Sequence, residues 1–297
     1  HNLPTPLTPL YGRDEEVERL LGELLTPECR LLTILGEGGI GKTRVALEVA
    51  RKLMGLAPNG RGHGQLAHSF DDGVWFISLA AIPNGERSTE QFISIIGSVL
   101  NLSFSHHSAL GEQLRNQLQS RKLLLILDNF EHLRPDIIDF LSELLYSAPN
   151  LKVIVTSRHH LDLFAQHVHR LQGLPIPTGT TDNLSNEALL QYPAIRLFVE
   201  QAKRVTGSFT LTTANRAAVL WLCRFMHGLP LGIKLAAAQL VNYPIEEVVE
   251  RAQRDLSLLV SSAADLPRHQ RSLQTLLQSS WEDLAPHLAK LLTYCSI

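Results

Sequence analysis

Apolar residues occur along the first half of the chain in short, nearly continuous runs, separated by stretches with apolar positions at helical spacing. The runs cover 31–35, 74–79, 123–127 and 151–155, with one more short candidate at 167–171. Short β-branched or leucine-rich runs of this length predict buried strands. Helical spacing occupies 15–25, 89–100, 110–118 and 135–145. Alternating strands and helices predict a mostly parallel sheet with helices on both faces.

The pattern changes after residue 172. A proline-rich piece at 174–177 and a polar run at 178–186 are typical of a linker. Helical spacing then continues at 194–205, 213–225, 231–240 and 245–254, with no strand pattern between, which predicts a small all-helical domain over 185–256. After a second linker, two helical stretches in 267–297 are too few for a core of their own. We interpret them as the start of a further domain, cut short at Ile297.

A glycine-rich stretch follows the first predicted strand and opens a helix. Gly36, four residues and then Gly41-Lys42-Thr43 match the P-loop pattern without mismatch. Glycines let backbone N–H groups converge on phosphate, while the lysine reaches the β- and γ-phosphates and the threonine hydroxyl can ligate Mg²⁺. The sequence therefore predicts a nucleotide-binding domain over 1–172. Its candidate phosphate-binding residues are Gly36, Gly38, Gly39, Ile40, Gly41, Lys42, Thr43 and Arg44.

A carboxylate closes the apolar run at 123–127. Asp128 stands where an acid beside the P-loop would hold Mg²⁺ together with Thr43, the Walker B arrangement. Asn129 follows where many hydrolases have a second carboxylate, and an amide cannot act as a general base. Glu131 is a candidate substitute, although a solvated loop residue would fit the same position.

Arg158 directly follows the strand predicted next after Asp128. An arginine at the carboxyl end of a neighbouring strand can reach the γ-phosphate, and a surface salt bridge is an equally good interpretation. Lys42, Asp128 and Arg158 are the candidate catalytic residues.

Composition and charge narrow the remaining classes of function and location. The formal net charge of −2 gives no overall basic field for nucleic acid. Cys29, Cys223 and Cys295 are widely spaced, as free thiols of a reducing compartment would be, and no apolar run approaches a membrane span. Paired histidines lack further ligands at a metal-binding spacing. We therefore expect a cytoplasmic protein whose only metal is the Mg²⁺ that accompanies the nucleotide.

Five motifs in order resemble the nucleotide-binding oligomerization module of STAND ATPases, the NB-ARC-like group. Tyr11-Gly12-Arg13-Asp14 resembles the N-terminal hhGRE motif, with Asp14 where Glu is usual. Walker A at 36–43 and Walker B at 123–128 follow, and 156–158 resembles the sensor 1 motif. Gly228-Leu229-Pro230 resembles the GxP motif of the helical domain, and 268–297 resembles the entry to the winged helix.

The resemblance implies specific roles. Tyr11, Gly12 and Arg13 would lie near the adenine, Arg158 would read the γ-phosphate, and Pro230 would pack near the bound nucleotide. It also implies a switch in signal transduction or transcription regulation, closed with ADP and opening to self-associate with ATP. Effector and repeat sensor domains would belong to a longer protein.

Two other functions stay open at this point. An actively turning-over ATPase or phosphotransferase would need a base or an acceptor site, and Asn129 weakens that interpretation. DNA binding through the winged helix has no support from the charge. A slow ATPase that acts as a switch is the prediction, without direct contact to nucleic acid or membrane.

Overall fold

The computed structural model describes residues 1–56, 70–82, 88–105, 108–179, 181, 184–255, 259–260, 272–274, 278 and 281. The chain divides into two compact units. The first comprises His1–Gly36 and Lys42–Leu171, and the second comprises Glu37–Gly41 and Gln172–Ile297. We call them the sheet unit and the helical unit. The domain boundaries given by the sequence remain a prediction.

Five parallel strands form the centre of the sheet unit, in the order β2-β3-β4-β1-β5. Every residue of β1 and of β3 is buried, as the unbroken apolar runs predict for strands covered on both faces. The predicted α/β fold with a parallel sheet is confirmed. The strands are β1 (Leu31–Leu35), β2 (Val74–Ser78), β3 (Leu124–Asp128), β4 (Lys152–Ser157) and β5 (Gln166–Arg170).

Helices cover this sheet because alternate strand residues point to opposite faces. Leu125 and Leu127 belong to one large core cluster, in which Phe92 makes edge-to-face contacts with Phe130 and Phe140 at ring-centroid distances of 6.3 Å. The helices of the sheet unit are α1 (Asp14–Leu25), α2 (Lys42–Leu53), α3 (Ser88–Val99), α4 (Leu110–Leu118) and α5 (Pro135–Ser147). Of these, α3, α4 and α5 contact one another, and α1 contacts α2.

The N-terminal segment lies against β2, an edge strand of the sheet. The side-chain amide of Asn2 donates to the carbonyl of Phe76 at 2.8 Å and accepts from the Phe76 N–H at 2.6 Å. Leu3 is buried beside it. One side chain thus satisfies both outward-facing backbone groups of Phe76.

The helical unit has one helix more than the sequence predicted, among the residues that the structure describes. Asn186–Leu190 lies in and after the polar run, and the Ser185 hydroxyl caps it by accepting the Ala188 N–H at 3.2 Å. The helices are α6 (Asn186–Leu190), α7 (Pro193–Thr206), α8 (Arg216–Phe225), α9 (Pro230–Ala238) and α10 (Ile245–Arg254). Apolar side chains of α7, α8 and α9 form its core.

Two backbone segments meet between α8 and α9. The Leu174 N–H donates to the Gly228 carbonyl at 2.8 Å, and a Cβ on Gly228, which has φ +70°, would lie 2.2 Å from the Leu174 carbonyl oxygen. Arg224 donates to the Pro177 carbonyl at 3.0 Å. The proline-rich segment is therefore bound to the helical unit. The winged-helix prediction lies almost entirely outside the described residues.

Candidate nucleotide-binding site

The P-loop connects β1 to α2, as the motif predicts. Gly39 and Gly41 have φ values of +75° and +101°, a region that favours glycine. Lys42 opens α2 and is 7% exposed, with its ammonium group donating to the Gly36 carbonyl at 2.8 Å. A buried cation beside a glycine-rich turn fits a phosphate group.

Oxygen atoms suited to a magnesium ion converge next to Lys42. The Thr43 hydroxyl donates to the Asp128 carboxylate at 2.5 Å, and the Thr156 hydroxyl donates to the same oxygen at 2.7 Å. Burial raises the pKa of Asp128 above its ordinary value, and the donors Thr43 and Thr156 oppose that shift. A buried carboxylate that is costly to ionise is well matched to a divalent cation, so Thr43 and Asp128 fit Mg²⁺.

Strand β4 connects the two halves of this arrangement, because it lies between β1 and β3. The Ser157 carbonyl accepts the Gly36 N–H at 3.3 Å, while the Thr156 hydroxyl accepts the Asn129 N–H at 3.1 Å. Thr156 thus orients both Asp128 and the backbone that follows it. The sequence predicts no role for Thr156, although a hydroxyl at the end of a buried strand was the available signal.

A short turn carries the chain past the end of β3. Asn129 adopts a left-handed conformation with φ +62° and begins a 3₁₀ turn over Phe130–His132. Within it, Glu131 forms an ion pair with Arg158, whose Nε lies 3.3 Å from Oε1. The two side chains are only 15% and 18% exposed, so this pair is largely shielded from solvent. The sequence left two interpretations of Arg158, a contact to the γ-phosphate and a salt bridge. The structure shows Glu131 as a salt-bridge partner.

The residues expected near the adenine lie at the start of α1. Gly12 has φ +62°, and Arg13 precedes the helix with its side chain buried and hydrogen-bonded to both oxygens of Glu16 at 2.8 and 2.9 Å. Tyr11 is partly buried. Their contact with adenine stays a prediction, as do the roles of the other predicted site residues. Arg44 donates to the Thr8 carbonyl at 2.5 Å and so holds the N-terminal segment to α2.

Pro230 begins α9 in the helical unit. Proline has no N–H, so the first one available at this end belongs to Leu231, and it donates to the Gly39 carbonyl at 3.2 Å. A Cβ on Gly39 would lie 2.8 Å from the Leu231 Cβ. Within the helical unit, which includes Glu37–Gly41, the residue after the predicted GxP motif therefore contacts Gly39 of the P-loop.

Two features are absent among the described residues. They contain no group of three or more His, Cys, Asp or Glu side chains placed to hold a metal ion. None of the helices that they form is long and apolar enough to cross a membrane.

The P-loop, the acid at the end of β3, strands β1 to β3 and most of β4 lie within one family match. The AAA ATPase domain family matches residues 9–155. This segment is similar to AAA ATPase domains. The match confirms the prediction, made from the motifs, that the chain contains a nucleotide-binding ATPase domain. Members of this class usually bind Mg²⁺ together with the nucleotide.

Curated relatives extend the similarity beyond this segment. A putative HTH-type transcriptional regulator of Mycobacterium tuberculosis is 28% identical over 250 residues, which are 84% of this chain and 25% of the relative. The regulatory protein AfsR of Streptomyces griseus is 28% identical over 288 residues, which are 92% of this chain and 24% of AfsR. The ATPase chain thus spans about a quarter of the length of these two regulators.

One solved structure supports the fold, and a second is a weaker match. The yeast Hsp104:casein complex gives a TM-score of 0.50 at 15% identity, covering 87% of this chain and 44% of that one. A STAND protein with a tetratricopeptide repeat sensor from Pyrococcus horikoshii gives a TM-score of 0.46 at 17% identity, covering 95% of this chain and 33% of that one.

Proposed function

We propose that this ATPase domain is the nucleotide-controlled switch of a STAND signal-transduction protein. ADP holds the closed form, ATP favours an open form that self-associates, and hydrolysis is slow. The observation that carries the proposal is the convergence of the buried Lys42 and Asp128 with the partly buried Thr43 at the carboxyl ends of the strands. These residues hold phosphate and Mg²⁺, while Mg²⁺ supplies neutralisation of the phosphate charge.

Discrimination between ADP and ATP requires contacts that depend on the γ-phosphate. A nucleotide shifts a conformational equilibrium only by its different affinity for the two states. Arg158, already paired with Glu131, presents a guanidinium whose several N–H groups can also face a γ-phosphate. Within the helical unit, the Leu231 contact to the Gly39 carbonyl offers a second element that responds to an occupied P-loop.

The remaining parts of the proposal come from the motif resemblance and the relatives. A regulator that contains this switch would work in the cytoplasm and carry effector and repeat sensor domains. Its domains would be 1–172, 185–256 and a winged helix that begins at 267–297. Asn129, an amide at the second acidic position, favours nucleotide retention over rapid turnover.

The test begins with the nucleotide that the purified protein retains. We expect denaturation to release ADP, and we expect exchange for ATP with Mg²⁺ to increase the hydrodynamic radius or the mass measured by light scattering. Equal compactness and assembly with ADP and ATP would contradict the switch. Absence of retained nucleotide together with fast steady-state turnover would instead favour a working ATPase.

A further inference from the structure

Glu131 occupies a rigid position at the carboxyl edge of the sheet. Its neighbour Phe130 is 2% exposed and packs edge-to-face on Phe92, which anchors the 3₁₀ turn in the core. On the other side, a ring nitrogen of His132 lies 3.1 Å from the Leu79 carbonyl oxygen, and the Leu79 N–H donates to the Asp128 carbonyl. The turn is therefore fixed at both ends, and the Glu131 carboxylate is held with it.

The two oxygens of this carboxylate have different surroundings. Oε1 lies 3.3 Å from Nε of Arg158. Oε2 is buried and has no hydrogen-bond partner among the described residues. A buried carboxylate oxygen without a donor is costly, and it is satisfied by a water molecule or a ligand group that donates a proton. The geometry thus leaves one acceptor open beside a fixed ion pair.

The neighbouring residues limit which side chain can accept a proton from a water molecule at this position. Asn129, at the usual position of the second acid, carries an amide. Asp128 already accepts hydrogen bonds from Thr43 and Thr156 and is assigned to Mg²⁺. Glu131 is close enough to Asp128 for its charge to raise the pKa of that carboxyl group. It is therefore a second carboxylate at the Asp128 end of the sheet, displaced along the chain from the usual position.

We infer that Glu131 orients the attacking water through Oε2 and takes its proton during ATP hydrolysis, with Arg158 as the residue that positions it. This rests on the proposed function, since it requires ATP in the P-loop. Glu131 accepts the water proton while the water oxygen bonds to the γ-phosphorus. The bond from that phosphorus to the bridging oxygen breaks, its electron pair leaves with ADP, and inorganic phosphate is released.

The test is Glu131→Gln in the whole chain, with Glu143→Gln as its control. Glu143 also pairs with an arginine, Arg115, at 2.6 Å, but its side chain is 62% exposed on α5. A general base contributes about 100-fold or more, so E131Q should lower the single-turnover rate constant by at least that factor. Affinity for ADP should change by less than about threefold, as for a substitution worth under about 0.5 kcal/mol.

A second readout requires no rate measurement, because it identifies the nucleotide that the protein retains. The nucleotide released on denaturation should change from ADP in the wild type to ATP in E131Q, while E143Q should still release ADP. Arg158→Gln should lower the rate constant as well, and restoring the charge with Arg158→Lys should recover part of it if positioning is electrostatic.

The outcomes separate this inference from the proposed switch. Unchanged turnover and ADP release in E131Q, with nucleotide binding intact, would overturn the role of Glu131 and leave the switch standing. Wild-type protein that binds ATP but hydrolyses none over hours would overturn it too. Failure of the wild type to bind either nucleotide would overturn both.

Discussion

The sheet unit and the helical unit bury different kinds of groups. Among the described residues, nine polar or charged side chains are buried, and eight of them lie in the sheet unit. Four of these, Lys42, Asp128, Thr156 and Ser157, gather where β1, β3 and β4 end. In the described part of the helical unit only Gln239 is comparable.

The helical unit instead depends on close backbone contact. A Cβ on Gly173 would lie 2.1 Å from the His227 carbonyl oxygen, and one on Gly228 would lie 2.2 Å from that of Leu174. Buried polar side chains therefore determine what the sheet unit can bind. The helical unit instead packs correctly only where glycine leaves room for backbone contact. Substitutions in the sheet unit should therefore change nucleotide binding, whereas substitutions in the helical unit should change stability.

Lys42→Ala should have the largest effect, and it should act on binding alone. Loss of a charged donor to phosphate costs about 3 kcal/mol, roughly a hundredfold in Kd for ADP and ATP. Calorimetric titration measures it, and the unfolding midpoint of the nucleotide-free protein should hardly move. Lys52→Ala on the same helix, where Lys52 pairs with Glu18 at 2.7 Å, is the control. A K42A protein that unfolds would break the contrast between the units.

Gly228→Ala should destabilise the helical unit. The positive φ costs about 1–2 kcal/mol and the overlap with Leu174 about 1–3 kcal/mol more. Native-state hydrogen exchange of α8 and α9 measures this loss. Gly207→Ala is matched, because Gly207 also has a positive φ, +84°, but no atom lies within 4 Å of its added Cβ. Equal losses in the two variants would show that conformation alone, without contact, explains the glycine.

His169→Gln should reveal the smallest effect, a pH response confined to the sheet unit. Burial and then the Arg19 guanidinium lower the pKa of His169 from its ordinary 6.5, with Arg13 acting in the same direction and Glu16 and Glu23 against it. The unfolded chain then binds the proton more readily, so stability is complete above pH 6.5 and falls as the pH drops toward the folded-state pKa.

Thermal unfolding at pH 5.5 and 7.5 measures that response. The wild type should lose more stability than H169Q on acidification, seen as a larger drop in its unfolding midpoint. Identical pH responses of H169Q and the wild type would show that His169 does not cause the loss of stability at low pH.

Local pattern was enough to predict the strands and the P-loop. Apolar runs such as 123–127 predict buried strands whichever neighbours they have, and Lys42 and Thr43 follow from an unbroken motif. The position of Asp128 beside Thr43 was also predictable, since both follow parallel strands. The short helix at Asn186–Leu190 was missed, because a polar run hides a helix of five residues, although Ser185 and Glu187 are a capping signal.

Partners that depend on strand order could not be predicted. The sequence left Arg158 undecided between phosphate and an ion pair, since a neighbouring strand allows both and names no partner; in the structure β4 lies next to β3. That adjacency brings Glu131 to Arg158 and Thr156 to Asp128. Tertiary neighbours therefore select among roles that the residue types alone permit.

The Asn2 side chain has a consequence for how copies of this protein could meet. An edge strand with open N–H and C=O groups invites another strand to add to the sheet. At Phe76 both groups are engaged by one primary amide, which caps the row where an incoming strand would have to register. A strand that adds to β2 must first displace Asn2 from Phe76, so this contact disfavours polymerisation by strand addition at that edge.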